Sequence, residues 1–215
     1  MDFDPNNDYS IPYFWGTVGL VYNKNNVSKQ DLEKEGWNIL LDQKYNNRIY
    51  IYDSERDSFM MAFKALGYSM NTNDEKEIDA AYNNTMRPVY VTDEIIDNMV
   101  NGVKDIGQVY SGDAAYILSE NPDMGYYCPK QGTNIWSDAM VIPKNAANPE
   151  LAHKFINYMI SYDPAYTNAE EYGYTSPNLE VSRDLTAEDG LFCGNEAYTP
   201  RTGYDKDEIF HDNEF

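Results

Sequence analysis

The chain of 215 residues carries 16 Lys and Arg against 36 Asp and Glu, a formal net charge of -20. So acidic a surface repels phosphate backbones and excludes nucleic acid as a partner; it attracts small cations, and it equally serves plain solubility. No apolar run reaches the length of a bilayer-spanning helix, and Met1-Asp2-Phe3-Asp4-Pro5 lacks the basic region and apolar stretch of a signal peptide, so composition leaves the chain either cytosolic or without its natural beginning.

In chain order, Ile11 to Asn23 reads as extended, with Gly16 and Gly19 allowing close backbone approach. Trp37 to Leu41 forms a short helical turn, and Arg48 to Tyr52 a strand rich in β-branched and aromatic residues. Asp53 and Ser54 cap a helix over 55–66, which places Phe59, Met60, Phe63 and Leu66 on one face and stops at Gly67. A helix over 74–84, a strand over 88–91 and a helix over 93–100 follow. Then come strands over 105–110 and 124–128 around a short helix near 114–118, and a strand over 139–143 after the Gly132-Thr133-Asn134 turn. Asn148 and Pro149 start the clearest helix, 149–162, whose buried stripe is Leu151, Ala152, Phe155, Ile156, Met159 and Ile160. Another helix spans Pro164 to Tyr172, the chain beyond Asn178 reads as irregular, and Asp212 to Phe215 end it without a closing element. Strands alternating with helices give an α/β fold with a parallel or mixed sheet, and such sheets bind ligands at the carboxyl ends of their strands.

Catalytic signatures are scarce: there is no GxSxG, HExxH, phosphate loop or GxGxxG, and His153 beside Lys154 inside a helix reads as solvated. Asp53 to Asp57 opens like a calcium loop but has Ser58 where glycine is needed and Lys64 where the closing glutamate is needed, so no metal is expected there. Cys128 and Cys193 lack CxxC spacing, which argues against zinc; one disulfide and two buried free thiols both fit. Among 36 acidic residues a glycosidase-like carboxylate pair carries little information.

Acid stands beside aromatic at three turns: Tyr52 to Asp57, Tyr110-Ser111-Gly112-Asp113, and Trp136-Ser137-Asp138. An organic ammonium wants this combination, carboxylates for charge and rings for cation–π contact; the same residues also cap helices and fill cores.

At these residues the chain resembles the spermidine/putrescine-binding proteins of ABC importers. The resemblance runs in order over about residues 9–180, through Tyr9 to Gly16, Val21-Tyr22-Asn23, Ser58 to Ala62, Leu66 to Asn71 and Glu77 to Asn83. It is most specific at Trp136-Ser137-Asp138-Ala139-Met140-Val141-Ile142-Pro143 and Gly173-Tyr174-Thr175-Ser176-Pro177-Asn178. It implies a type II, Venus-flytrap fold of periplasmic-binding-protein kind, capture rather than catalysis, no cofactor, and export from the cytoplasm, with the chain periplasmic, attached to the cell surface or fused to a permease. It also implies a polyamine ligand held by Asp57, Tyr110, Asp113, Trp136, Asp138 and Tyr174, and a permease partner. Ser54 stands where spermidine-preferring members carry an acid.

In the family the Tyr9 to Asn23 stretch crosses from the first lobe into the second, so most of a first lobe is expected to be missing from this chain. Residues 1–133 and 179–215 then belong to the second lobe, and 134–178 return to the first. The apolar stripe from Leu151 to Ile160 then needs a cover, by folding back, dimerisation or a swap between chains. The rivals are a solute-binding protein for another small cationic or neutral ligand and a carboxylate-dependent hydrolase.

Overall fold

A computed structural model describes residues 4–83 and 89–211; Met1 to Phe3, the expected element ends at Asn84 and Pro88, and Asp212 to Phe215 lie outside them. The fold is organised by one long strand, β1 (Ile11–Asn23), rich in the β-branched and aromatic residues that favour extended backbone. Its second half is paired on both edges, antiparallel to β4 (Ile106–Tyr110) with Val18 opposite Tyr110, and to β5 (Met124–Tyr127) with Leu20 opposite Tyr127. β2 (Ile49–Tyr52) lies parallel to β4 on one side and to β3 (Val89–Val91) on the other, which gives the order β3-β2-β4-β1-β5. The first half of β1 instead pairs antiparallel with β6 (Ile135–Met140), Thr17 opposite Ile135 and Ile11 opposite Met140.

Helices follow the local signals closely. α1 (Lys29–Glu35) is capped by Ser28, whose hydroxyl accepts from Asp31 N at 3.0 Å. α2 (Glu55–Leu66) is capped by Ser54 and ends at Gly67 with φ 83°, which glycine adopts without a Cβ clash. α3 (Glu75–Asn83), α4 (Glu94–Val100) and α5 (Ser111–Glu120) flank the sheet, α5 starting directly from the end of β4. α6 (Pro149–Met159), α7 (Tyr162–Tyr172) and α8 (Leu179–Thr186) complete the order. Val18, Leu20, Trp37, Tyr45, Met60 and Ile106 are fully buried on one side of the sheet; Val109, Ala114, Ile117, Ala169, Val181 and Leu185 pack on the other.

Five expectations are corrected. The strand expected at 139–143 is β6 at Ile135–Met140, because its partner β1 begins at Ile11 opposite Met140 and offers nothing to pair beyond it. The helix expected to reach 162 stops at Met159, and α7 starts afresh at Tyr162: a proline in mid-helix lacks an N–H and strikes the carbonyl four residues back, whereas Pro164 is tolerated in a first turn. The irregular chain expected beyond Asn178 holds α8, where Asn178 Oδ1 accepts from Glu180 N and Val181 N, and Val181 and Leu185 are buried at i, i+4 spacing. On the α6 stripe only Ile156 is buried and Ala152, Met159 and Ile160 are half-buried; Leu151 and Phe155 are 60% and 58% exposed, because among the described residues α6 packs mainly on α7, which covers only part of the stripe. Cys128 and Cys193 are both free, and Cys193 is exposed rather than buried.

The carboxyl-terminal tail returns across the turn before β6. Glu208 N donates to Thr133 O and Ile135 N to Glu208 O, at 2.9 and 2.8 Å. Arg201 locks the tail, its guanidinium donating to both carboxylate oxygens of the fully buried Asp207 side chain and to the carbonyls of Cys128 and Pro129. Asp207 Oδ1 in turn accepts from Thr133 N at 2.9 Å. Arg201→Met leaves that carboxylate buried without its cation, so the unfolding free energy measured in urea should fall by ~3–5 kcal/mol.

Candidate ligand-binding cleft

The parallel strands β2 and β4 end at Tyr52 and Tyr110, and each runs straight into a helix, α2 and α5. Aromatic residues at strand ends therefore meet acids in first helical turns, Asp57 on α2 and Asp113 on α5. The long strand brings in the third contributor. β1 sets Val18 opposite Tyr110 and Gly16 opposite Trp136, so the two aromatic residues approach across it. Their rings meet edge to face with centroids 6.1 Å apart, and Trp136 meets Tyr174 the same way at 5.0 Å. Edge-to-face pairs place positive ring edges on negative faces and hold the rings in fixed orientations.

Two glycines make the room. A Cβ at Gly16 would lie 2.7 Å from Trp136 Cζ2, and one at Gly112 would collide with the Tyr174 ring. Larger residues at either place would displace an aromatic side chain from the site.

The cleft so formed has a volume of about 380 Å³ and is walled by Ser54, Arg56, Asp57, Tyr110, Asn134, Trp136, Asp138, Tyr174 and Phe210. Five of the six residues read from sequence, Asp57, Tyr110, Trp136, Asp138 and Tyr174, thus share one cavity. Asp57 is 3% exposed and accepts from Tyr110 Oη at 2.7 Å. Asp138 stands opposite Phe14 on β6, exposed at the rim, yet burial of its carboxyl raises the pKa. Among the described residues neither Asp57 nor Asp138 enters an ion pair.

Asp113 is not among the lining residues. It lies behind them, its Oδ2 accepting from Tyr52 Oη at 2.8 Å and its Oδ1 from Tyr174 Oη at 3.0 Å. Burial raises its pKa, partly offset by those two donors. Burial and the nearby carboxylates push the phenols of Tyr52, Tyr110 and Tyr174 up as well, which keeps them protonated as donors. Asp113 therefore orients two tyrosines, one of which forms the cleft wall.

Sequence reading missed Arg56, Asn134 and Phe210. A signal existed for Asn134, because residues 134, 136 and 138 alternate along an extended segment and so share a face. None existed for Phe210, which reaches the cleft only because the tail returns along β6; its ring lies 4.3 Å from the Arg56 guanidinium. Among the described residues no group of three or more His, Cys, Asp or Glu is arranged to hold a metal ion, and no helix is long and apolar enough to cross a membrane.

Residues 3–196 match the bacterial extracellular solute-binding protein family. The chain belongs to that family. It is 35% identical over 191 residues to the spermidine/putrescine-binding periplasmic protein of Salmonella typhimurium, a match covering 86% of the chain and 54% of the relative. It is 28% identical to the putrescine/cadaverine-binding protein of Pseudomonas aeruginosa, over 82% of the chain and 54% of the relative. Among solved structures it resembles the spermidine/putrescine ABC transporter substrate-binding protein PotD of Streptococcus pneumoniae. That match has a TM-score of 0.77 and 33% identity, and covers 99% of this chain and 66% of that one. The α/β fold is thus of the periplasmic-binding-protein type. The chain spans about half the length of the curated relatives it matches.

The buried Asp113 carboxyl gives a pH dependence of stability. Its folded-state pKa is raised above the ordinary 3.8, so over the window that opens there and closes at the raised value the folded state binds more protons than the unfolded state. Stability must fall as pH rises through that window. Asp113→Asn should remove this component: the parent-minus-variant difference in urea stability should decline across the window and stay constant above it. A flat difference would contradict the assignment.

Proposed function

We propose that this chain binds a polyamine, putrescine or spermidine, in the acidic and aromatic cleft, outside the cytoplasm, and that the protein carrying it delivers the ligand to an ABC importer permease. One observation carries the reading: Asp57 and Asp138, two carboxylates with no ion-pair partner among the described residues, border a cavity whose walls are the rings of Tyr110, Trp136 and Tyr174. An alkyl diammonium is the complement of such a site. Its ends supply the missing positive charge, and its methylenes and ammonium groups pack on ring faces, each cation–π contact contributing about 0.5–2 kcal/mol. The names of the relatives, spermidine/putrescine-binding and putrescine/cadaverine-binding, agree with this chemistry.

The mechanism is capture without conversion. The chain supplies a second lobe, residues 1–133 and 179–215, while 134–178 belongs with a first lobe. Two features support this division: β6 pairs with the first half of β1, where Met159 and Ile160 at the end of α6 border a cavity with Ile11, Pro12 and Phe14, and Leu151, Phe155 and Tyr158 on α6 stand exposed as a surface for that lobe to cover. Closure of two lobes over the cleft then desolvates the ligand and creates the form a permease recognises.

Thermal denaturation with putrescine, spermidine and spermine tests the reading, since a ligand that binds only the native state raises the midpoint, by about 2.7 kcal/mol of stability at 100 times its dissociation constant. A rise with putrescine or spermidine is expected, larger when a first lobe is supplied, and it should be mostly lost in Asp138→Ala, which leaves one ammonium without its counter-charge. An undiminished rise in Asp138→Ala, or no rise with any polyamine, would sink the proposal.

A further inference from the structure

The cleft contains a polar group that the fold itself does not use. Asn134 is 4% exposed and lines the cavity beside Asp57 and Trp136, yet its Oδ1 has no hydrogen-bond partner among the described residues. Buried polar atoms are nearly always paired, and an orphan calls for an explanation. The backbone at this position is already satisfied without the side chain: the Asn134 carbonyl accepts from Val18 N at 3.1 Å, and the residue bridges in parallel to Glu208 of the returning tail. A β-branched or aliphatic residue would serve the strand as well and would bury no unpaired oxygen.

We infer that Asn134 is a ligand-recognising residue, whose amide oxygen accepts a hydrogen bond from an ammonium N–H of the bound amine. The inference rests on the polyamine reading of the cleft and deepens it. A primary ammonium has three N–H donors to place. Asp57 already accepts from the Tyr110 hydroxyl, and the three N–H bonds of an ammonium diverge, so a single carboxylate cannot meet all of them. An amide supplies a further acceptor without adding a third negative charge to repel the first two. Rotation about the Cβ–Cγ bond exchanges Oδ1 and Nδ2, so the oxygen can turn toward the ligand. The site thereby discriminates by N–H count: it favours primary and secondary ammonium ions over quaternary ones, which have charge and ring affinity but no donor.

The test is an NMR titration of this chain and its variants with putrescine and with spermidine, which detects weak as well as tight binding. The reporter is the Trp136 indole N–H, which is buried in the cleft wall with no partner among the described residues. In Asn134→Leu, of similar shape, half-saturation should require at least about tenfold more ligand, the loss expected for a hydrogen bond to a charged group. The melting temperature of the unliganded variant should not fall, since an unpaired oxygen has been removed. Asn134→Asp keeps the acceptor and the shape and carries the test if the leucine variant misfolds: its half-saturation should be unchanged or lower. If Asn134→Leu titrates like the parent, or Asn134→Asp loses as much as Asn134→Leu, the assignment of Asn134 is overturned while the polyamine reading stands. If no cleft resonance of the parent chain moves with either polyamine, the polyamine reading fails and this inference falls with it.

Discussion

β1 must find hydrogen-bond partners along both of its edges over thirteen residues, and it does so with different strands in its two halves. Toward its end β4 and β5 flank it; toward its start β6 takes one edge and Trp15 N donates to Thr175 O on the other. Unpaired buried backbone is costly, so this hand-over near Thr17 and Val18 leaves little freedom in how the two halves meet. The binding cleft sits at that hand-over. Tyr110 opposite Val18 and Trp136 opposite Gly16 are neighbours because one strand sets both registers. A slip of one residue in the β1–β6 pairing would turn Trp136 and Asp138 to the opposite face and abolish the site.

The electrostatics of the cleft follow from how its carboxylates are partnered. Three acids stand at the cleft, two of them largely buried and Asp138 at the rim, and they are partnered differently. Both Asp113 oxygens are satisfied by tyrosine hydroxyls, which makes it a brace inside the wall. Asp57 accepts from one tyrosine and borders the cavity, and Asp138 borders it at the rim. The two cleft-facing carboxylates thus retain unmet demand for a positive partner, and the aromatic walls present ring faces beside them. An elongated organic cation fits both conditions. Arg56, held over the Phe210 ring, is the only Lys or Arg among the described residues that line this cavity.

Local signals account for much of the secondary structure. Ser54, Gly67, Asn148 and Pro149 mark helix ends that the structure places where capping chemistry puts them. The misses have equally local causes or none. α8 was overlooked because only Val181 and Leu185 mark its buried face, too few for a convincing period. The start of β6 could not be read from its own residues, because it is determined by where β1 ends its offer of hydrogen bonds.

In the site, the sequence by itself determined which chemistry was available. Acids beside aromatics at three turns are a local pattern, and helix capping and strand ends place most of them correctly. Tertiary structure alone decided what each does. Whether a carboxylate faces a cavity or a tyrosine hydroxyl depends on residues far away in the chain, as Asp113 depends on Tyr52 and Tyr174. Phe210 joins the cleft only because Arg201 and Asp207 fold the tail back across the turn before β6. Composition and spacing describe neighbours along the chain; burial and partnership are properties of neighbours in space, and only packing sets those.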